Sequence, residues 1–110
     1  MTPAAGSQNG AIAYAASKGA LEWITYSAAT ELGPHGITVN AINPGPSQTG
    51  WMTPEIEHAA ATRTPLGRAG QPQDAAGLVS FLLSEDADFI NGQVITSDGG
   101  HRVAGGSWPR

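Results

Sequence analysis

The apolar positions of the chain fall into a few separable patterns. Between Ala11 and about Leu32, the positions Leu21, Ile24, Ala28 and Leu32 recur at helical spacing, which predicts one long helix with an apolar stripe. Gly33-Pro34 is predicted to end it, with Gly at the C-terminal cap and Pro unable to continue the ladder. The run Ile37 to Ile42 is short, β-branched and bounded by Gly36 and Asn43-Pro44-Gly45, which predicts a buried strand. Residues 43–71 are punctuated by Pro and Gly, with a weak helical stretch over Pro54 to Thr62. Long irregular segments of this kind commonly carry function.

Pro72 suits a first helical position and Asp74 a first turn. Ala75, Leu78, Val79, Leu82 and Leu83 then form an apolar stripe that is predicted to end near Ser84-Glu85. Gln93 to Ser97 reads as a second strand, residues 1–10 as a polar loop, and residues 99–110 as a Gly-rich tail, flexible from residue 101 onward. Two strands separated by a crossover that contains helix would run parallel. Parallel sheets are covered on both faces and need several strands, so the pattern predicts part of an α/β sheet.

Composition sharpens this. Ile, Leu, Val and Phe together number only 19 of 110 residues, while Ala and Gly are abundant at 18 and 15. Small side chains bury little area each, so a self-sufficient core is not expected and further strands should come from another chain or from residues beyond these. The five Lys and Arg are scattered, which leaves no footprint for nucleic acid. No apolar run approaches a membrane span, and Met1 to Gly10 has neither the charge nor the apolar stretch of a secretory signal. The absence of Cys excludes disulfides and thiol chemistry and fits a cytoplasmic chain. His35, His58 and His101 follow no ligand spacing, so no metal site is expected.

The chemistry centres on Tyr14-Ala15-Ala16-Ser17-Lys18. Tyr and Lys four apart share a helical face. An ammonium beside a phenol favours the phenolate, and a phenol so tuned can donate or accept a proton at a carbonyl or alcohol oxygen. Spacing alone also fits a packed Tyr and a solvated Lys. The order of motifs favours the first reading: YAASK, a long helix, GITVNAINPG, Thr49, GRAGQPQDAAGLVSFLLS, then NGQVITSDGG. Together they resemble the C-terminal half of the short-chain dehydrogenase/reductase family, including its 3-oxoacyl-[acyl-carrier-protein] reductase-like members, from about Ala11 to Gly100.

The resemblance implies the C-terminal part of a doubly wound parallel Rossmann sheet that binds NAD or NADP. It implies an oxidoreductase that moves hydride between the cofactor and a small-molecule carbonyl or secondary alcohol. Tyr14 is then the general acid/base, and Lys18 tunes it and contacts the nicotinamide ribose. Pro44, Gly45, Ser47 and Thr49 form the loop that holds the cofactor at the carboxyl end of a strand. The family's TGxxxGxG fingerprint and NNAG strand do not occur in these 110 residues, which implies that the nucleotide-binding half is not among them. The position of the family's catalytic Ser, about 13 residues before the Tyr, falls at Met1; Thr2 and Ser7 carry hydroxyls nearby without the spacing.

The resemblance also implies a homo-oligomer, with the long helix at a dimer contact. There Trp23 and Tyr26, which lie off the Leu21/Ile24 face, would serve as interface or packing residues. Trp51 and Met52 open a substrate lid or pack a plain loop. Asp98-Gly99-Gly100 reads as a turn near a subunit contact. The competing reading is a non-catalytic truncated fragment that only packs with other chains.

Overall fold

A computed structural model describes residues 11–105, with helices α1 (Ala11–Leu32), α2 (Pro54–Arg63), α3 (Pro72–Leu82) and α4 (His101–Gly105). Strands β1 (Ala41–Pro44) and β2 (Val94–Ser97) pair in a two-stranded sheet. Gly92 N donates to Val39 O and Ala41 N to Gln93 O, both at 2.9 Å. The partners advance together along the chain, so the two segments run parallel, with α2 and α3 in the crossover.

The chain divides into two compact units. The first comprises residues up to Ala41 together with Ile90–Val94. Its helix α1 has the predicted limits, but Gly36, not Gly33, supplies the left-handed cap. Residues Gly33–His35 add a 3-10 turn, and Gly36 at φ 77 closes it by donating to Gly33 O.

The buried face of α1 also differs from the expected stripe. Leu21, Ile24 and Leu32 are exposed, and the buried positions are Thr25 and Ala29. The cause is a close backbone approach. Asn91 Nδ2 donates to Ala29 O at 3.1 Å, and Ala29 Cβ would lie 3.3 Å from a Cβ added at Gly92. Only small side chains fit such a contact. Thr25 turns its hydroxyl back to Leu21 O at 2.8 Å, so its polar atom is satisfied inside the helix.

Strand β1 begins later than Ile37 because side chains replace the ladder before it. Val39 N donates to Asn91 Oδ1 at 2.9 Å, Asn40 Nδ2 to Ile90 O at 3.1 Å, and Gln93 N to Asn40 Oδ1 at 3.0 Å. Two asparagines thus satisfy backbone groups that a longer strand would have paired.

The second unit holds Ile42–Phe89 and the chain from Ile95 onward. Helix α2 starts where Thr53 Oγ1 accepts from Ile56 N at 3.2 Å, with Pro54 opening the helix, acidic residues in its first turn and Arg63 in its last. Helix α3 starts where Asp74 accepts from Gln71 N at 2.7 Å. Met52, Ala60 and Ala69 form the buried apolar cluster of this unit. The stretch read as a tail contains α4 instead. Asp98 accepts from Gly100 N and Arg102 N, each at 2.9 Å, and so caps the helix. The rest of the predicted tail, residues 106–110, and the predicted N-terminal loop lie outside the described residues.

Among the described residues no helix is long and apolar enough to cross a membrane.

Candidate active site

In the first unit, α1 presents Tyr14 and Lys18 on one face. Lys18 Nζ lies 5.7 Å from the centroid of the Tyr14 ring, within the range of a cation–π contact. Tyr14 is 37% exposed, so its phenol faces open space beside the helix. Ser17, between them in sequence, spends its hydroxyl on Tyr14 O at 2.8 Å, which leaves the pair as the helix's chemically available groups here. Ala15, Ala16 and Gly19 keep the surrounding helix surface low. Met1, Thr2 and Ser7 lie outside the described residues.

In the second unit, Pro44 ends β1 and the loop that follows contains Gly45, Ser47 and Thr49. Gly45 is fixed by proximity: a Cβ there would stand 2.6 Å from Asp98 Cβ. The loop is tied to the segment before α3 by a parallel bridge between Ser47 and Gly70. Gln48 N donates to Gly70 O at 2.8 Å and Gly70 N to Pro46 O at 2.9 Å. Ser47 Oγ turns back to Gly45 O at 3.0 Å, while Ser47 O accepts the Trp51 indole N–H at 2.9 Å. Thr49 is exposed, and among the described residues its hydroxyl and its backbone N–H make no hydrogen bond. The loop therefore displays donors on a backbone held from both sides.

Three side chains, two in the second unit and one in the first, were not singled out from the sequence as structural hubs. Gln48 binds the loop to itself through three hydrogen bonds and to Glu57 of α2 through a fourth. Asn91 ties the end of α1 to the approach to β1. Arg68 meets Asp74 in a two-pronged ion pair at 2.7 and 2.8 Å. The Arg68 guanidinium, with the Gln71 N–H, holds the Asp74 carboxyl well below the usual carboxylate range, and the same pairing raises Arg68. The Asp74 capping position was legible; its Arg68 partner had no sequence signal beyond opposite charge six residues away.

A cavity of 140 Å³ in the second unit is lined in part by Arg68, Asp74, Ser97 and Asp98. Its charged groups are already engaged: Arg68 with Asp74, and Asp98 with the cap of α4. Among the described residues no three His, Asp or Glu are grouped to hold a metal ion.

The family model described as enoyl-(acyl carrier protein) reductase matches residues 2–102. An uncharacterized oxidoreductase of Bacillus subtilis, YjdA, is 52% identical over 91 residues, which is 83% of this chain and 36% of that protein. The 5-keto-D-gluconate 5-reductase of Escherichia coli is 43% identical over 96 residues, covering 83% of this chain and 38% of the relative. Among solved structures, a 3-oxoacyl-[acyl-carrier protein] reductase with bound NAD from Brucella melitensis superposes with a TM-score of 0.72 at 38% identity. That match covers 81% of this chain and 33% of the other. The chain thus spans little more than a third of the length of the curated relatives it matches. With YAASK on α1, the PGPSQT loop after β1 and DGG after β2, it belongs to the short-chain dehydrogenase/reductase family of oxidoreductases.

Proposed function

We propose that this chain carries the proton-transfer pair and the nicotinamide-facing loop of an NAD- or NADP-dependent oxidoreductase acting on a carbonyl or secondary alcohol. The observation that carries the reading is the Lys18 ammonium 5.7 Å from the Tyr14 ring on an open helix face. The names of the relatives agree with it: one reduces a keto sugar acid, and one solved reductase holds NAD.

The residues present fit the cofactor. The low surface formed by Ala15, Ala16 and Gly19 admits a flat group against α1, and Lys18 offers donors to ribose hydroxyls. The free N–H and hydroxyl of Thr49 suit an acceptor such as a carboxamide oxygen or a phosphate. When bound, the dinucleotide supplies or accepts the hydride.

In the direction of reduction, the Tyr14 hydroxyl gives its proton to the carbonyl oxygen as negative charge develops there. Lys18 offsets the charge left on the phenolic oxygen. In the direction of oxidation, the same oxygen takes the alcohol proton, and Lys18 plays the same part.

The same reading includes association. Trp23 at 71%, Leu83 at 82% and Phe89 fully exposed are large apolar groups open to solvent. Large apolar groups left open in each unit are of the kind that contact faces carry, and a neighbouring subunit or the rest of the family's sheet would cover them.

The test is a fusion of this chain behind the preceding part of a 3-oxoacyl-[acyl-carrier-protein] reductase, assayed with carbonyl substrates. Tyr14→Phe should lower kcat/KM by about two to four orders of magnitude, the ordinary contribution of a positioned acid/base. A variant that keeps the parental kcat/KM would overturn the assignment.

A further inference from the structure

Gln48 uses every hydrogen-bonding capacity of its carboxamide within six residues of chain and one helix turn. Its Oε1 accepts from Gly50 N at 3.0 Å and from Met52 N at 3.2 Å. Its Nε2 donates to Met52 O at 3.1 Å and to Glu57 Oε1 at 3.1 Å. An amide oxygen has two lone pairs and an amide nitrogen two protons, so the set is complete. Turning the group over would set its NH2 against two N–H groups and its oxygen against a carbonyl and a carboxylate. Only one orientation satisfies the site.

The backbone of the same residue is also engaged, Gln48 N donating to Gly70 O at 2.8 Å. Glu57 sits in the first turn of α2, and its own N–H donates to Thr53 O at 2.9 Å. One side chain therefore joins three things: the segment Ser47–Thr49, the turn through Gly50 to the buried Met52, and the start of α2. Trp51 adds a second clasp across the turn through its indole N–H on Ser47 O.

We propose that Gln48 is a positioning residue that fixes the backbone of residues 47–52 and couples it to the first turn of α2. The loop is then already in shape before any ligand arrives. The functional part of this inference rests on the reading of the loop as nicotinamide-facing: the donors of Thr49 are pre-oriented, and no ordering is needed on binding. Glutamine is required because the site needs two donors and one doubly accepting oxygen in a single planar group. Glu has the same size but brings a carboxylate against Glu57 and the Met52 carbonyl. Leu fills similar volume and makes none of the four bonds.

The experiment is hydrogen–deuterium exchange by mass spectrometry on the full 110-residue chain, comparing peptides over residues 49–53 with those over α3. In Gln48→Leu, exchange of the Gly50 and Met52 amides, read in the 49–53 peptides, should rise roughly tenfold, the factor for losing about one net hydrogen bond at each of the two, while α3 is unchanged. The isosteric Gln48→Glu keeps an oxygen for Gly50 N and Met52 N but sets a carboxylate against the Met52 carbonyl and Glu57, so exchange there should rise by less than in Gln48→Leu, a rise that a merely space-filling role would not produce. Combining Gln48→Glu with Glu57→Gln returns a donor from the other side and should recover part of the protection. No rise in Gln48→Glu, or a rise equal across the chain, would overturn the proposal, whether or not Gln48→Leu folds.

A second arm adds NADH or NADPH to the parental fusion of this chain behind the preceding part of a 3-oxoacyl-[acyl-carrier-protein] reductase, which supplies the nucleotide-binding half. Slower exchange over 47–52 that Gln48→Glu weakens supports both the positioning and the cofactor reading. No slowing in the parental fusion would overturn the cofactor reading of the loop, while the first arm alone still decides the role of Gln48.

Discussion

Replacing Gly45 with alanine should destabilise the second unit, and the same change at Gly77 should stabilise it. A methyl group at Gly45 would stand 2.6 Å from Asp98 Cβ and 3.3 Å from Asp98 Cα. Carbon atoms ordinarily approach to about 3.5–4.0 Å, so roughly 1 Å of displacement is needed. Asp98 cannot retreat freely, because its two carboxylate oxygens hold Gly100 N and Arg102 N at 2.9 Å. Overpacking of this kind costs about 1–3 kcal/mol. Disturbing the cap of α4 adds about 1 kcal/mol. The sum, about 2–4 kcal/mol, corresponds to a fall in Tm of at least ~8 °C for a unit of this size. Gly77 lies inside α3 with nothing within 4 Å of an added Cβ. There alanine removes only the backbone-entropy penalty of a helical glycine and gains about 0.5–1 kcal/mol. Thermal unfolding followed by circular dichroism reads both. A Gly45→Ala chain that melts at the parental temperature would refute the close-approach argument, and so would an equal fall for Gly77→Ala.

The folded-state pKa of Asp74 is depressed, so its contribution is present above the ordinary aspartate range near ~4 and is lost as pH falls below it. The urea midpoint of the parent should therefore decline through that acidic window. Asp74→Asn should be less stable at neutral pH and lack that part of the slope. Asn91→Ala removes the acceptor for Val39 N and the donor to Ala29 O, and should destabilise the first unit by about 1–3 kcal/mol in denaturant unfolding. Asn91→Asp keeps the acceptor and should fall between the two.

The elements were legible in the sequence wherever local signals and tertiary contacts agreed. Helix α1 ends at Leu32, just before Gly33-Pro34, although the left-handed cap lies three residues on at Gly36, and Pro72 and Asp74 mark the start of α3. The weak stretch after Pro54 is a full helix because Thr53 caps it, a bond that counts more than its modest apolar pattern. What was not legible depended on contacts between distant segments. Leu21, Ile24 and Leu32 look like a core stripe by spacing, yet the face that packs within the described residues is Thr25 and Ala29, selected by how closely Asn91 and Gly92 approach. Asn40 and Asn91 delay the start of β1 through bonds that span some fifty residues, and no window of local pattern contains them.

The candidate site divides along the same line. The i, i+4 spacing of Tyr14 and Lys18 is a helix property, so the sequence suffices to bring ammonium and ring onto one face, and the 5.7 Å separation follows from the helix itself. The loop is different. Pro44, Gly45, Ser47 and Thr49 are recognisable as a motif, but the motif does not hold the loop's shape. That shape comes from Asp98 against Gly45, Gly70 against Ser47, and Gln48 bonding its own chain and Glu57. A glutamine among small polar residues carries no periodicity or spacing that would mark it. Its importance follows only from the count of satisfied donors and acceptors around one planar group. A loop held by side chain to backbone bonds can differ in sequence between relatives and keep its shape, provided each replacement supplies an equivalent set. Donor and acceptor bookkeeping at position 48 is therefore a sharper guide to this loop's rigidity than the motif residues on either side.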